Sequence, residues 1–407
     1  MTGLPVSSIP LAVLHLDHTD ARGGAEYALL RILIAPHDWR PLVLLPGPIG
    51  CDLGTYAPLL LVKDVSVRRL GPAQNPGANR ATPVVLARMI ARALGQSMAI
   101  RFSKEFRTAR LVHTNTSRAA VYGAVACIFS RTPLVVHLRD AVNRNALGGA
   151  GFHMLTRLAL RRATGVIANS TSTLETARRY LARDAHVVVI PSAAGLRDRP
   201  RPVPAEASTA TSSVARVGML ARIDPWKGQA QLIRAFARSF AGAKVRLILA
   251  GEPAFGHADY LVELKALANQ LGVAEQVDFV GHIEDVNALI DSLDVCVQAS
   301  TRAEPLGQNI LQYLSAGKTV IATAEGGPAE WIRDGHNGLL VEPRSVDALA
   351  AALSRVASDH ALRGRLAVAA ASTPGLRTDS QIAAEHAAFF SLCAAPNRAS
   401  LRRKGHA

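Results

Sequence analysis

The sequence predicts an α/β protein made of two doubly wound, parallel-sheet domains. Three observations carry that prediction. Short apolar runs alternate with stretches of helical periodicity almost end to end, the pattern of sheets covered by helices on both faces. The alternation lapses once, at residues 193–213, where Arg, Pro, Ala, Ser and Thr follow one another without periodicity, and then restarts. A chain of 407 residues fills two domains at about 150 residues each. The expected division is an N-terminal domain 1–192, a linker 193–213, a second domain 214–377, a helix 378–395 crossing back to the first domain, and a basic disordered tail 396–407.

In the first half, residues 11–17 read as a buried strand, 25–35 as the helix after the pair Gly23-Gly24, and 42–45 as a second strand. Residues 47–81 carry many Gly and Pro and read as irregular. The Ala-, Leu- and Arg-rich stretch 83–108 has helical periodicity. Strands at 111–114, 134–137, 165–169 and 186–190 then alternate with helices at 118–129, 152–163 and 173–182. The cluster Gly148-Gly149-Ala150-Gly151 reads as a flexible loop. The second half opens with a strand at 215–220, runs to another at 339–341, and ends in helices at 345–356, 361–371 and 378–393. Ligands of such sheets bind beyond the carboxyl ends of the strands, so both domains are expected to face a central cleft.

Composition excludes several classes of function. Hydrophobic residues make up 49% and charged residues 19%, which is globular, and no apolar run approaches the roughly 18 residues that span a bilayer. The N-terminus lacks the basic and apolar regions of a secretory signal, so a cytoplasmic protein is expected. Cys51, Cys127, Cys296 and Cys393 are far apart, with no Cys-x-x-Cys, and read as reduced, mostly buried thiols. Net charge is 46 − 31 = +15, but the basic residues are dispersed. Aromatics are 5% and do not interleave with them as a nucleic-acid stacking platform requires, so no nucleic-acid partner is expected. No Asp-x-Asp and no His/Asp/Glu cluster with metal-ligand spacing occurs, so neither metal nor other cofactor is expected.

The chemistry concentrates in residues 302–318. Glu304 and the turn Pro305-Leu306-Gly307 stand at the head of an amphipathic helix, an apolar strand follows at Thr319-Val320-Ile321-Ala322, and Gly326-Gly327 comes after it. Free N–H groups at a helix N-terminus suit an anion. Glu304 repels phosphate and suits hydroxyls beside one, and a polyhydroxyl next to phosphate describes a nucleotide-sugar. Upstream, Arg222 and Lys227 lie five residues apart between an apolar strand and a helix starting near Lys227. A guanidinium fork and an ammonium suit a diphosphate, and oppose the charge that grows as it leaves. His137 ends a strand just before Arg139 and Asp140, where ligands of such sheets bind. Gly23 and Gly24 precede a helix and allow close approach of backbone to an acceptor or phosphate.

These segments, in order and spacing, resemble the retaining glycosyltransferases of family 4, which have the GT-B architecture of two Rossmann-like domains. The family's donor signature is a Glu, seven residues, then a second Glu, and Glu304-Pro305-Leu306-Gly307 matches its first half. Gly218 to Gln229, Leu247 to Glu252, Val277 to His282, Gly23-Gly24-Ala25-Glu26 and Val135 to Asp140 follow in the family's order. The resemblance implies that Arg222 and Lys227 hold the diphosphate and that Glu304 holds hydroxyls of the transferred sugar. It implies that Gly307 and the N–H groups of Gln308 and Asn309 wrap the distal phosphate and sugar, with Leu306 among the donor-binding residues, and that Gly281 and His282 border the nucleobase. His137 would stand beside the reacting sugar, with Arg139, Gly23 and Gly24 on the acceptor side. At the second acidic position this chain has Gln312, eight residues past Glu304 and, on a continuous helix, roughly on its face. Gln keeps one carbonyl acceptor for a ribose diol and adds a donor pair.

The reading is a retaining, metal-independent glycosyltransferase that moves a sugar from an NDP-sugar, UDP favoured, to an acceptor hydroxyl. A UDP-sugar epimerase and a non-catalytic nucleotide-sugar binder are the alternatives from other classes. The acceptor is expected to be a small polar molecule such as a secondary metabolite or aminocyclitol, with a membrane lipid or cell-wall precursor as the rival. A lipid acceptor needs a basic, amphipathic element, and residues 83–110 are the candidate. Projected at about 100° per residue, their basic residues spread over more than one face, and their apolar positions are expected to pack on the sheet. Association with a membrane surface is therefore not favoured.

Overall fold

The computed structural model describes residues 10–48, 54–73, 83–196, 213–253 and 257–395. Two compact units emerge, one formed by Met1–Ala193 with Asp379–Ala407 and the other by Ala194–Thr378. The first holds a seven-stranded sheet of β1 (Leu11–Leu16), β2 (Trp39–Pro46), β3 (Val67–Leu70), β4 (Leu111–Thr114), β5 (Leu134–Leu138), β6 (Gly165–Ala168) and β7 (His186–Val189). Its strand order is β3-β2-β1-β4-β5-β6-β7, and every pair is parallel. The second holds β8 (Arg216–Leu220), β9 (Arg246–Ala250), β10 (Val277–Gly281), β11 (Val295–Gln298), β12 (Thr319–Thr323) and β13 (Leu339–Val341) in the order β10-β9-β8-β11-β12-β13, again all parallel.

Central strands are buried on both faces, which is why they read as unbroken apolar runs. In each sheet the strand order reverses once. The reversal lies between β1 and β4 in the first unit and between β8 and β11 in the second. At such a switch point two loops leave in opposite directions and open a crevice for ligand.

Several expectations change. The stretch 47–81 contains a short helix, Ala57–Leu61, and the edge strand β3, whose Val67-Arg68-Arg69-Leu70 hides from an apolar scan because an edge strand tolerates charge. The helix expected at 83–108 breaks where Ser103 caps a new helix, Lys104–Thr108, by accepting from Phe106 N. The glycine cluster at 148–151 is not a loop. It lies within Arg144–Met154, where Gly148 at φ 69° kinks the helix before a π-turn at Leu155–Ala159. The terminal helix Asp379–Ala394 packs on the first unit, where Ile382, Phe389 and Phe390 join a core with Val13, Leu111 and Val135.

One correction bears on function. Several long apolar residues of Pro83–Phe102 face away from the core that Ile100 joins. Ile90, Leu94, Met98 and Phe102 are 44%, 50%, 50% and 69% exposed, while Gln96, Ser97 and Ile100 form the buried side. Among the described residues no helix is long and apolar enough to cross a membrane. Cys127, Cys296 and Cys393 are buried free thiols, each pushed up to about 12 by burial; Cys51 and the tail at 396–407 lie outside the described residues.

Candidate functional site

In the second unit, the loops leaving β8, β11 and β12 converge on Glu304. After β8 the chain turns through Asp224, whose carboxylate accepts from Trp226 N, into the 3-10 turn Pro225–Lys227. Gly228 then starts the helix Gln229–Phe240 at φ 83°, where a side chain would collide with the Ala299 carbonyl. The α-helix thus begins beyond Lys227, which sits in the tighter turn before it. Lys227 Nζ donates to both oxygens of Glu304, at 3.0 and 2.7 Å, and Ser300 Oγ donates to Oε2 at 2.8 Å. Glu304 is only 8% exposed. Burial alone would raise its pKa, but the Lys227 charge and hydrogen bond, the Ser300 hydroxyl and Arg222 outweigh it and hold the carboxylate ionised below its usual range.

The backbone of Glu304 is fixed as firmly as its side chain. It bridges Gly326, and its carbonyl accepts from Gly327 N at 2.7 Å. Gly326, at φ 76°, lies so close that a Cβ would strike the Glu304 backbone. Gly326 is therefore required by proximity as well as by its positive φ.

Trp226 gathers the cations. The Lys227 Nζ lies 4.0 Å from its ring, the Arg302 guanidinium 4.2 Å and the Arg222 guanidinium 5.6 Å. Arg222 also donates to Asp224 at 3.2 Å, and Gln229 ties the Arg222 carbonyl at 2.8 Å. Three cations against two buried carboxylates, Asp224 and Glu304, leave an excess of positive charge for a multiply charged anion. Scanning for charge spacing found Arg222, Lys227 and Glu304; it did not reveal Trp226, Ser300 or Arg302, whose roles depend on packing.

The helix after the Glu304 loop is Gln308–Ser315, capped by Gly307 at φ 77°. Leu306 is buried and packs with Ala194 and Leu311. Glu304 therefore precedes the helix, so the argument that placed Gln312 two turns along from it on one face is corrected. Gln312 Nε2 donates to the Ala194 carbonyl at 2.8 Å. Gly281, at φ 69°, ends β10 with open space where a side chain would be, and His282 is exposed. Both stand at the carboxyl edge of the same sheet.

In the first unit a second cluster fills the switch point. Asn115, just past β4, donates to Asp17 Oδ2 at 2.7 Å and to the Ala25 carbonyl at 3.1 Å. Arg139, just past β5, donates to Asn115 Oδ1 and to Ser192 Oγ, both at 2.7 Å. Gly23 caps the helix Gly24–Ile34, and the Glu26 carboxyl folds back over it, since a Cβ on Gly23 would collide with it. Burial and then the Asp17 charge push Glu26 up to about 8, while burial lowers Arg139 to about 10. The Tyr56 hydroxyl and Arg139 Nε are buried without hydrogen-bond partners. Arg139, Gly23 and Gly24 were expected here; Asp17, Asn115 and Tyr56 were not, and only the Gly-Gly-Ala-Glu motif hinted at Glu26.

The fold also assembles what spacing along the chain hid, a trio of Asp17, His18 and Glu26 with ligand atoms within 4.8 Å of one another. Arg139 beside it opposes a cation, and a Glu26 that holds its proton is a poor ligand.

His137 is not in that cluster. It is fully buried in a row of imidazoles with His15, His113 and His386. Trp39 Nε1 donates to His15 Nε2 at 3.1 Å, so a neutral His15 carries its proton on Nδ1, facing His113 Nδ1 at 2.9 Å. His113 Nε2 then donates to His137 Nδ1 at 3.3 Å. The expectation that His137 lines the reacting face is corrected: a strand's last turn-inward residue is core, and the next polar residue past the strand, Arg139, reaches the crevice.

Known proteins share both halves of this arrangement. Residues 30–193 match the Glycosyl transferase 4-like domain and residues 207–373 match the family Glycosyl transferases group 1. The chain belongs to the GT4-type glycosyltransferases, with the GT-B fold. The Anabaena HepE protein, whose crystal structure contains UDP and glucose, superposes with a TM-score of 0.76 at 28% identity, over 93% of this chain and 99% of that one. The lipopolysaccharide core biosynthesis glycosyltransferase LpsE of Rhizobium meliloti is 38% identical over 104 residues, covering 26% of this chain and 30% of LpsE. The D-inositol 3-phosphate glycosyltransferase of Stackebrandtia nassauensis is 33% identical over 163 residues, 38% of this chain and 36% of that enzyme. The match thus spans about a third of the length of these curated relatives.

Proposed function

We propose that this GT4-type protein transfers a sugar, with retention, from a nucleoside diphosphate sugar to an acceptor hydroxyl. The observation that carries the reading is the Lys227–Glu304 pair at the β8/β11 switch point, ringed by Arg222, Arg302 and the glycines at 307, 326 and 327. Without ligand, Lys227 and Glu304 satisfy each other. Donor binding redirects both: the ammonium and Arg222 meet the diphosphate, and Glu304 accepts from sugar hydroxyls. As the bond from C1 to the diphosphate oxygen breaks, charge grows on that oxygen, where the two cations are preorganised to receive it. The acceptor oxygen bonds C1 on the same face, and its proton passes to the departing oxygen. In the first unit the Asp17–Glu26 carboxyls and Arg139 offer acceptors and a donor for a hydroxyl-bearing acceptor.

UDP is the favoured nucleotide, supported by the UDP bound in the HepE structure. Thermal shift against UDP, GDP and ADP tests this. A ligand at 100 times its dissociation constant stabilises by about 2.7 kcal/mol, and no shift with any of the three refutes the donor site. The small, soluble acceptor expected from sequence rested on residues 83–110 burying their apolar side, and that support falls with the exposed side chains described above.

A further inference from the structure

The helix Pro83–Phe102 turns its apolar side away from the first unit. Ala91, Leu94, Gly95, Met98 and Phe102 fall in an arc about 100° wide, and Val84 and Ile90 extend it at 60% and 44% exposure. Arg88 and Arg92 run along one edge of the arc and Arg101 lies at the other. Exposed apolar stripes of this size mark a surface that is covered in use. A second observation comes from another element. Phe129 is 97% exposed and held at φ 57°, a left-handed conformation that is unfavourable for a bulky residue. It lies just past the helix Ser117–Ala126, which packs against Pro83–Phe102.

We propose that this stripe, with Phe129, docks on an anionic bilayer surface. An apolar face rimmed by arginines matches the boundary between acyl chains and acidic headgroups, in which such a helix lies flat. It is not apolar enough to span. A second copy of the chain fits worse, because antiparallel pairing of two stripes would bring arginine rims together, on a protein already at +15. The inference stands apart from the transferase reading, since neither cluster of site residues lies on this helix.

The test is co-sedimentation of the full chain at about 0.15 M salt with vesicles of equimolar phosphatidylglycerol and phosphatidylcholine, against vesicles of phosphatidylcholine alone. The chain should pellet with the first and stay in the supernatant with the second. Arg88→Gln/Arg92→Gln should weaken partitioning about 25-fold, roughly fivefold per arginine. Leu94→Gln/Phe102→Gln should weaken it by at least about 10-fold. Both changes are at surface positions, and an unchanged melting temperature verifies the fold. A supernatant protein with anionic vesicles overturns the proposal, and so does pelleting that Leu94→Gln/Phe102→Gln leaves intact. A dimer in sedimentation velocity that the same substitutions dissolve, with no lipid binding, reassigns the face to self-association and overturns it equally.

Discussion

Acidification should unfold the first unit well before it reaches the pH of carboxylate titration. His15, His113, His137 and His386 are all fully buried, and burial is the largest cause pulling each down, His15 to about 3 and His386 to about 4. In the unfolded chain each titrates near the ordinary 6.5. The unfolded state therefore binds more protons below that pH, so this contribution is complete above it and is lost as pH falls. From pH 7.5 to 5, an imidazole that stays neutral in the fold loses about 2 kcal/mol, and four lose about 8 kcal/mol. Glu26 acts in the opposite sense. Its carboxyl keeps a proton up to about 8 when folded but only to 4.5 when unfolded, so over the same interval it regains about 3 kcal/mol. The net loss is about 5 kcal/mol, as large as the whole stability of many domains. Equilibrium denaturation in urea at pH 7.5, 6 and 5, followed by circular dichroism and by the fluorescence of Trp39 on His15, measures it. His386→Leu removes one titrating ring and should reduce the net loss to about 3 kcal/mol. A change below about 1 kcal/mol across this range, or signals of His15, His113, His137 and His386 that titrate above pH 6 in the folded protein, would refute the reasoning.

The remaining expectations concern the site. Lys227→Ala or Arg222→Ala should lower kcat by on the order of 10²-fold, as loss of one preorganised donor does; a variant with near-native kcat removes that residue from the diphosphate contact. Turnover should survive EDTA despite the Asp17–His18–Glu26 trio, and a loss that magnesium restores would give that trio a metal. Gln312→Glu should weaken the protein, because it trades a donor to the Ala194 carbonyl for a carboxylate facing it, at about 1–3 kcal/mol. A Gln312→Glu variant that melts as the parent does and binds donor more tightly would instead show the ribose-facing role drawn from the family signature.

Much of the fold was legible because its central strands are buried on both faces and so read as apolar runs. The exceptions share a cause. β3 is an edge strand with Arg68 and Arg69, and its identity comes from pairing with β2, which no local pattern reports. The break at Ser103 is a hydrogen bond to Phe106 N within an otherwise continuous periodic stretch. Within the site, Arg222, Lys227 and Glu304 stood out by charge and spacing. Ser300 and Trp226 did not, since a hydroxyl and an indole acquire their meaning from the groups they touch. His137 misled for a related reason: a polar residue near a strand end is assigned to the crevice, whereas His113 and His386 give it partners in the core.

The two switch points also divide the chemistry in a way that net charge conceals. Both crevices form where the strand order reverses, and both place an ionic cluster at the carboxyl edge of a parallel sheet. In the second unit the cluster has an excess of cations, with Arg222, Lys227 and Arg302 around Trp226 against two carboxylates, Asp224 on Arg222 and Glu304, kept ionised between Lys227 and Ser300. In the first unit it has an excess of carboxyls, with Asp17 and Glu26 against Arg139. A diphosphate favours the former, whereas the latter, with Glu26 protonated and Asp17 balanced by Arg139, has no net positive charge to attract it; neutral hydroxyls can bond to either carboxyl there. The same backbone solution thus supports different electrostatics, and the difference lies in a handful of side chains at loop positions that the overall +15 would never single out.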